Sequence, residues 1–221
     1  MILRMRRNYN LRGRKGERYP VVLKLDDPDK VFFTADTHFG DCKALKLSNR
    51  PYESVAEMDE DMIRLWNSTV PKDGIVFHLG DFGFGSYRRG MEILFSLNGR
   101  KHLVLGNHDL QTICRGHVGQ FSSVSQQMIL NVSGQRVLLN HCPLLCYPSD
   151  VSMWQLFGHV HSGHLSSGSD LPRLDHLLPT QYDFGVDNNS FRPVSFFEVQ
   201  ARNTNRKILL RKRDLDRLGI L

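Results

Sequence analysis

The sequence predicts an α/β protein in which two β-sheets pack together and helices lie outside them. The first half of the chain alternates short apolar runs with helical patterns, whereas the second half consists mostly of strand-like runs. The length of 221 residues fits one domain, because sheet-rich domains commonly reach about 200–250 residues. A composition of 40% hydrophobic and 24% charged residues is ordinary for a globular protein.

The first half begins with two β-branched and aromatic runs, Val21–Leu25 and Val31–Ala35, which predict strands. Ser54-x-x-Glu57 is the signature of a helix N-terminus, in which the two side chains cap each other's backbone. Apolar residues then recur with helical spacing as far as Trp66. The remaining predictions for this half are strand Ile75–Leu79, helix Tyr87–Leu97 and strand His102–Leu105.

The second half is richer in strands. Met128–Val132 and Arg136–Asn140 flank the turn sequence Ser133-Gly134-Gln135 and predict a β-hairpin. Two more short apolar runs, Trp154–Phe157 and Tyr182–Val186, also predict strands. The apolar run Val194–Val199 fits either a strand or a short helix.

Basic residues are concentrated at the two ends of the chain. Residues 1–20 hold seven Arg or Lys against one Glu, and residues 201–221 hold seven against two Asp. We therefore expect a flexible basic arm (residues 1–20), one domain (residues 21–200), and a basic C-terminal segment (residues 201–221) packed on that domain. The basic ends could meet nucleic acid or another polyanion, or could be solvated tails.

No run of about 18 apolar residues occurs, and no apolar stretch follows the N-terminal charges, so neither a transmembrane helix nor a secretory signal is expected. An arginine-rich transit peptide is the weaker alternative, since the first twenty residues are poor in serine. Cys42, Cys114, Cys142 and Cys146 form no CxxC pair, which favours a reducing, cytoplasmic compartment. For Cys142 and Cys146 we favour simple packing over metal ligation.

Five motifs carry the candidate chemistry, and each directly follows a short apolar strand. They are Asp36-Thr37-His38, Gly80-Asp81, Gly106-Asn107-His108-Asp109, His141 and Gly158-His159-Val160-His161. Because ligands gather beyond the carboxyl ends of strands in α/β sheets, these ends would bring together Asp36, His38, Asp81, Asn107, His141, His159 and His161. Two ions sharing one carboxylate would use all seven, and a set without Cys suits manganese, iron, zinc or cobalt. The glycines before the ligands are expected to permit tight turns.

The motifs differ in how strongly each one, taken alone, indicates a metal site. Gly-Asp is an ordinary turn dipeptide, and a single Asp-x-His or His at a strand end usually has a structural role. Gly-Asn-His-Asp and Gly-His-x-His are stronger, because so many polar residues after an apolar strand have no packing reason. The signal lies in the order of the motifs and in their repeated position at strand ends.

This ordered series resembles the calcineurin-like metallophosphoesterase superfamily over roughly Val31–Val199. The additional patterns Asn49-Arg50-Pro51, Gly185-Val186-Asp187 and Arg192-Pro193-Val194 are similar to a group of small bacterial and phage phosphoesterases. The resemblance implies a four-layer α-β-β-α sandwich of two mixed sheets flanked by helices. It also implies hydrolysis of a phosphate ester with two divalent metal ions, manganese being the first expectation.

The same resemblance implies a role for each site residue. One ion would be held by Asp36, His38, Asp81 and His161, and the other by Asp81, Asn107, His141 and His159. His108 would contact the substrate and donate a proton to the leaving oxygen. Asp109 would either orient His108 or cap a helix over Leu110–His117.

Two further residues are candidate substrate contacts. Arg50 would either clamp a phosphate through its planar guanidinium or be a surface charge. Asp41 stands where related small phosphoesterases tend to have a His, so it changes the expected charge beside the substrate. We expect His78 in the core, and the long segment Ser162–Leu178 as a substrate lid or a variable loop. Surface positions are expected for His102, His117, His164 and His176.

Three functions are compatible with these features. A phosphodiesterase leads, because Gly80–Gly85 lacks the arginine of the Gly-Asp-x-x-Asp-Arg-Gly motif of protein Ser/Thr phosphatases. A metal-dependent nuclease of the same fold is suggested by the basic ends, although no aromatic stacking platform is evident. A non-catalytic binding scaffold is the third, and it is disfavoured because every proposed ligand and His108 are present.

Overall fold

A computed structural model gives the fold, and it describes residues 22–83, 86–112, 115–146, 153–163 and 170–204. The predicted arm over residues 1–20 lies outside these ranges, as do residues 205–221 of the predicted C-terminal segment. Cys114 and His164 also lie outside them. The expectations for these parts of the chain therefore stay predictions.

Ten strands are present in the described residues. They are β1 (Val22–Leu25), β2 (Val31–Thr34), β3 (Ile75–His78), β4 (Arg100–Val104), β5 (Ser123–Ser125), β6 (Gln127–Val132), β7 (Gln135–Asn140), β8 (Trp154–Phe157), β9 (Gln181–Asp183) and β10 (Val194–Ser195). They form two five-stranded sheets, the first in the order β1-β6-β7-β8-β9 and the second in the order β10-β2-β3-β4-β5.

Both sheets are mixed. In the first sheet only β6 and β7 are antiparallel, and in the second sheet only β10 runs against its neighbour β2. Ser133 and Gly134 form a two-residue hairpin turn between β6 and β7, since Val132 pairs with Gln135. Both turn residues have positive φ, +45° and +91°, as the favoured type I′ hairpin turn requires.

Helices occupy the connections. They are α1 (Cys42–Leu47), α2 (Val55–Thr69), α3 (Tyr87–Ser96), α4 (Asp109–Thr112), α5 (Arg115–Val118) and α6 (residues 196–204), with 3-10 turns at Pro28–Lys30, Leu171–His176 and Val186–Asn188. At the start of α2, Ser54 Oγ accepts from Glu57 N and Glu57 accepts from Glu53 N, so the predicted capping is confirmed. Among the described helices, none has the length and apolar character that crossing a bilayer would demand.

The core has two parts because strands of the second sheet are buried on both faces. Phe33 and Phe77 point toward the first sheet and pack there with residues such as Leu139 and Leu156. The alternate residues, including Phe32, point the other way and pack against the apolar sides of α2 and α3. Continuous burial of this kind is expected for parallel strands covered on both faces. The predicted fold class, an α/β sandwich of two mixed sheets with flanking helices, is confirmed.

Several short elements differ from the prediction. Helix α1 and strand β5 were not predicted, because six and three residues are too few to establish a period. The predicted strand Tyr182–Val186 ends at Asp183, and Val186 begins a 3-10 turn. The run Val194–Val199, which fitted either a strand or a short helix, forms a two-residue strand followed by the start of a helix.

Candidate metal centre

The five sequence motifs lie at the carboxyl ends of β2, β3, β4, β7 and β8. Backbone hydrogen bonds link the loops of the second sheet, where Asp36 N donates to Gly80 O over 2.9 Å. Another bond links the two sheets, since His159 N donates to Asp36 Oδ2 over 2.8 Å. These links bring the side chains of all seven predicted ligand residues into one site.

One group of donor atoms comes from Asp36, His38 and His161, whose candidate ligand atoms lie within 4.8 Å of one another. Asp81 Oδ2 lies 3.6 Å from His38 Nε2, at the edge of this group. This arrangement corresponds to the first predicted metal site.

A second group surrounds Asn107. Its Oδ1 lies 3.0 Å from His141 Nε2 and 3.0 Å from His159 Nδ1. Asp81 Oδ2 lies 3.5 Å from His141 Nε2. The same carboxylate oxygen therefore stands beside both groups, as a bridging ligand must. Separations of this size suit neighbouring ligands of one ion, since metal–ligand bonds to nitrogen and oxygen are about 2.1 Å long.

The site also contains buried polar atoms that have no hydrogen-bond partner among the described residues. They are Asp36 Oδ1 and both ring nitrogens of His38. Asp36 is 0% exposed and His38 is 3% exposed. Buried polar atoms without partners are costly and rare, and ligation of a cation would satisfy them. The donors present therefore fit divalent metal ions.

Three of the four histidines point one ring nitrogen into the site and the other toward an acceptor outside it. His141 Nδ1 lies 2.8 Å from Leu79 O, and His161 Nδ1 lies 2.8 Å from Asp187 Oδ2. His159 Nε2 lies 3.6 Å from Asp170 Oδ2. An outer acceptor takes the ring proton and leaves the inner nitrogen free to bind metal.

His38 follows the same pattern with a looser contact. Its Nδ1 lies 3.4 Å from Asp41 Oδ2, outside hydrogen-bond geometry, and its Nε2 faces Asp81. Asp41 also caps α1, because its Oδ1 accepts from Lys43 N over 2.7 Å. The neighbouring His38 imidazole lowers the pKa of Asp41 to about 2. Asp41 thus stands behind the candidate ligand His38, whereas the sequence suggested a substrate contact.

Arg50 is buried beneath the site, so the alternative that it is a surface charge is wrong. Its guanidinium donates to both carboxylate oxygens of Asp187, to the backbone oxygens of Asp36 and Thr37, and to Met58 Sδ. These contacts use all five N–H donors of the side chain. Arg50 is therefore not placed to clamp a phosphate, contrary to the prediction. It holds the Asp36 loop and Asp187 in position.

Asp109 has neither of the two predicted contacts. Its carboxylate accepts from Asp81 N, Phe82 N and Gly106 N, at 2.8–2.9 Å. It is the first residue of the four-residue helix α4 rather than its cap. Burial raises the pKa of Asp109, and the three N–H donors oppose that rise. Asp109 ties the loop after β3 to the loop after β4.

His108 is exposed at the rim of the site. Its ring centroid lies 5.1 Å from that of His38, and its backbone N donates to Asp81 Oδ1 over 2.9 Å. The side chain therefore stands beside the first donor group without being part of it.

Five of the seven candidate ligands have left-handed backbone conformations. Their φ angles are +54° for Asp36, +49° for His38, +56° for Asp81, +75° for His159 and +51° for His161. Such conformations cost about 1 kcal/mol or more for a residue with a side chain. They persist where surrounding contacts over-determine them, and they concentrate at functional sites.

The glycines before the ligands serve two purposes. Gly80 has φ +103° and makes the tight turn that was predicted. Gly158 is required by close approach instead, since a Cβ there would lie 2.6 Å from Asp36 Oδ2. Gly106 is equally constrained, because a Cβ would collide with the carboxylate of Asp81. Gly158 thereby lets the loops of the two sheets meet, and Gly106 lets the loops after β3 and β4 meet.

The electrostatics of the site follow from burial and from the pairing of unlike charges. Burial raises the pKa of Asp36 to about 7, although His161 and His141 oppose it. Burial also disfavours the charged form of Asp81, but His141 and His38 outweigh that effect and hold its pKa below the ordinary range. For His141, burial is outweighed by Asp81 and Asp36, which raise its pKa to about 9.

The sequence also predicted positions for histidines and cysteines outside the candidate ligand set. His78 is fully buried and lies 3.0 Å from Thr37 Oγ1. The prediction of a surface position for His117 is wrong, since it is 2% exposed and its ring packs on Tyr87. Cys142 Sγ lies within 4.8 Å of ligand atoms of its histidine neighbours, but burial raises its thiol pKa. The preference for a packing role of Cys142 over metal ligation stays a prediction.

Comparison with known proteins identifies sequences similar to this chain. No family model matches it. An uncharacterized protein of Methanocaldococcus jannaschii is 30% identical over 138 residues, which span 62% of this chain and 72% of that protein. The chain belongs to the family of this archaeal protein. A relative from Mycobacterium phage D29, named gene 66 protein, is 29% identical over 177 residues, covering 66% of this chain and 86% of the phage protein.

One solved structure supports the fold described above. A protein of unknown function from Aquifex aeolicus superposes with a TM-score of 0.59 at 21% identity, covering 77% of this chain and 97% of that one. The two proteins share a fold. A nuclease named MPE from Pseudomonas putida superposes only partly, with a TM-score of 0.42 and 19% identity over 60% of this chain, a likeness too low to indicate function.

Proposed function

We propose that the protein is a dinuclear metal-dependent phosphoesterase of the calcineurin-like superfamily that hydrolyses phosphodiesters. One observation carries the proposal: Asp81 Oδ2 lies 3.6 Å from His38 Nε2 and 3.5 Å from His141 Nε2. A single carboxylate oxygen between two separate donor groups is the arrangement that a pair of neighbouring cations requires.

The two groups divide the seven ligands. Asp36, His38, Asp81 and His161 would hold one ion, and Asp81, Asn107, His141 and His159 would hold the other. Oxygen and imidazole donors of this kind suit manganese, iron, zinc or cobalt. The left-handed conformation of five of these residues supports a functional role for the cluster.

When bound, such a metal pair lowers the pKa of a shared water and offsets charge on the phosphoryl oxygens. The chain supplies the remaining chemistry. His108 stands beside the first donor group, exposed at the rim, and would donate a proton to the leaving oxygen. Its backbone N donates to Asp81 Oδ1, which holds the backbone of His108 beside the proposed bridging carboxylate.

Hydrolysis of bis(p-nitrophenyl) phosphate in the presence of Mn²⁺ tests the proposal. We expect His108→Ala to lower kcat by about 10²–10⁴-fold while the protein still binds two Mn²⁺, because the ring protonates the leaving group without ligating metal. Asp81→Asn should lose Mn²⁺ binding, since the bridge would be weakened at both sites. Gln111→Ala, an exposed change on the neighbouring helix α4, is the control and should leave both properties unaltered.

The outcomes test the assigned residue roles and distinguish an enzyme from a binding scaffold. If His108→Ala emptied the site of metal, the roles assigned to His108 and to the seven ligands would be wrong. If the wild-type protein bound metal but hydrolysed no diester with Mn²⁺, Fe²⁺, Zn²⁺ or Co²⁺, the non-catalytic scaffold would replace the enzyme.

A further inference from the structure

A cavity of about 380 Å³ opens beside the second donor group. His159 belongs to both the donor group and the cavity wall, and Cys142 and Val160 continue the wall from residues adjacent to the ligands. The opposite wall comes from the 3-10 turn Leu171–His176 and the residues that flank it. The volume lies within the range of small-ligand pockets, about 300–1,000 Å³.

Five of the ten described lining residues are apolar. They are Pro143, Leu144, Leu145, Val160 and Leu177. Leu145 is 87% exposed, so its side chain is left uncovered by the described part of the chain. Covering apolar surface of this kind with an apolar group is favourable.

The charges in the described wall balance each other. Arg173 Nε lies 2.6 Å from Asp170 Oδ1, and Asp170 Oδ2 lies 3.6 Å from His159 Nε2. Because Asp170 offsets Arg173, the cavity lacks the excess positive charge that binding of another phosphate group demands. An uncharged group suits it better.

The position of the cavity identifies which part of a substrate would enter it. His108 stands beside His38 of the first group, whereas the cavity adjoins His159 of the second group. A phosphodiester whose leaving oxygen faces His108 would direct its other ester group toward the cavity.

We propose that this cavity binds the retained ester group of the substrate, and that this group is bulky, uncharged and largely apolar, the size of an aryl ring or a nucleobase. The inference rests on the proposed phosphodiesterase activity. It names the substrate class as diesters that carry such a group, in preference to monoesters and to small alkyl diesters.

Three p-nitrophenyl diesters with the same leaving group test the proposal in the presence of Mn²⁺. Their retained groups are methyl, phenyl and 5′-thymidyl. We expect kcat/KM to be about 10–100-fold higher for the phenyl and thymidyl diesters than for the methyl diester, mainly through a lower KM, as burial of one ring predicts. Equal kcat/KM values for all three would overturn the proposal.

Variants of the cavity wall test whether the preference for the larger retained groups arises in this cavity. Replacing two wall residues together, Leu145→Ser with Leu177→Ser, should reduce the preference for the phenyl diester by at least about threefold. Leu178→Ser is the matched control, because Leu178 is the next residue along the chain, is 41% exposed and does not line the cavity. An unchanged preference in the double variant would place the binding elsewhere and contradict the proposal.

A binding measurement separates this inference from the proposed function. If no diester were hydrolysed, the proposed activity would fail, but calorimetry with Mn²⁺-loaded protein would still test the cavity. Thymidine 5′-monophosphate should then bind at least about tenfold more tightly than inorganic phosphate, and Leu145→Ser with Leu177→Ser should reduce that difference. Equal affinities for the two ligands would overturn the cavity proposal.

Discussion

Asp187 stands between a candidate metal ligand and a buried cation. One of its oxygens, Oδ2, lies 2.8 Å from His161 Nδ1, and both oxygens accept from Arg50. Burial disfavours the charged carboxylate, but His161 and Arg50 outweigh it and lower the pKa of Asp187 to about 2. A charged acceptor at this position fixes the His161 tautomer in which Nε2 is free to bind metal.

We therefore expect Asp187→Asn to weaken Mn²⁺ binding at the first site by about 10–100-fold, because such outer acceptors contribute that much to metal affinity. Calorimetric titration of the metal-free protein measures the effect. Asp175→Asn, at an exposed position of a 3-10 turn, is the control. An Asp187→Asn variant with wild-type affinity at both sites would show that Asp187 does not orient His161.

We expect Asp109 to contribute to the stability of the fold rather than to the chemistry of the site. Its carboxylate collects three backbone N–H donors from two loops. In Asp109→Asn an amide N–H₂ faces some of those donors, so we expect the free energy of unfolding to fall by about 1–3 kcal/mol. Urea denaturation of the metal-free protein measures this change.

The exposed Asp29→Asn substitution provides the reference for removing one acidic charge. Equal unfolding midpoints for Asp109→Asn and the wild-type protein would mean that the three hydrogen bonds contribute nothing net.

The candidate ligand residues could be selected from the sequence, but the residues that support them could not. Asp36 and His159 stand out because they follow apolar strands in repeated motifs. Arg50 and Asp187 are separated by 137 positions, and neither lies directly after a strand. The quoted patterns around them indicated a resemblance, but a contact over that distance depends on the folded chain.

At the scale of elements, α6 is fixed by a reciprocal cap. Ser195 Oγ accepts from Glu198 N, and Glu198 Oε2 accepts from Ser195 N. Arg192 adds an ion pair with Glu198, at 2.6 Å. The Ser-x-x-Glu signature was present in the sequence here as at Ser54, but it lies within the apolar run Val194–Val199, which fitted either a strand or a short helix.

Glu198→Gln should lower the free energy of unfolding by about 0.5–1 kcal/mol at pH 7, since a half-exposed cap and ion pair contribute modestly. The hydrogen bond from Arg192 lowers the folded-state pKa of Glu198 to about 2. A depressed folded pKa stabilises the fold above the unfolded pKa of about 4.3. The stabilisation is lost as pH falls toward 2.

The measurement is a set of urea curves for wild type and Glu198→Gln between pH 7 and pH 3. The difference between the two proteins should stay constant down to about pH 4.5 and shrink below it. A difference that grew as the pH fell would contradict the assigned ionisation.

Elements with a clear sequence pattern were easier to predict than elements without one. Strands β2, β3 and β8 consist mostly of apolar residues, and α2 has both a capping signature and a helical period over 15 residues. Helix α1 spans six residues and β5 three. Elements of that length are stabilised by neighbours in the fold rather than by their own pattern.

For the whole molecule, the sandwich explains how distant motifs form one site. Parallel β2, β3 and β4 present one set of ligand loops, and parallel β7 and β8 present the other. The core between the sheets holds these two edges at a fixed distance. The order of strands and helices along the chain predicted the two-sheet architecture, but not the sheet order, because β1 joins the second half of the chain through β6.

The left-handed backbone at five ligands also belongs to the whole molecule. The residue types alone do not predict this left-handed backbone, since the positions are distinguished only by having His or Asp side chains. The conformations depend on bonds such as His159 N to Asp36 Oδ2, which forms only when both sheets are in place. Global folding thus determines the local geometry of the site.

The central claim is that two neighbouring cations occupy this site, and anomalous scattering from Mn²⁺-soaked crystals tests it most directly. The account predicts two peaks about 3.5–4 Å apart, one among Asp36, His38 and His161 and the other among Asn107, His141 and His159, with Asp81 between them. A single peak, or peaks outside these residues, would contradict it.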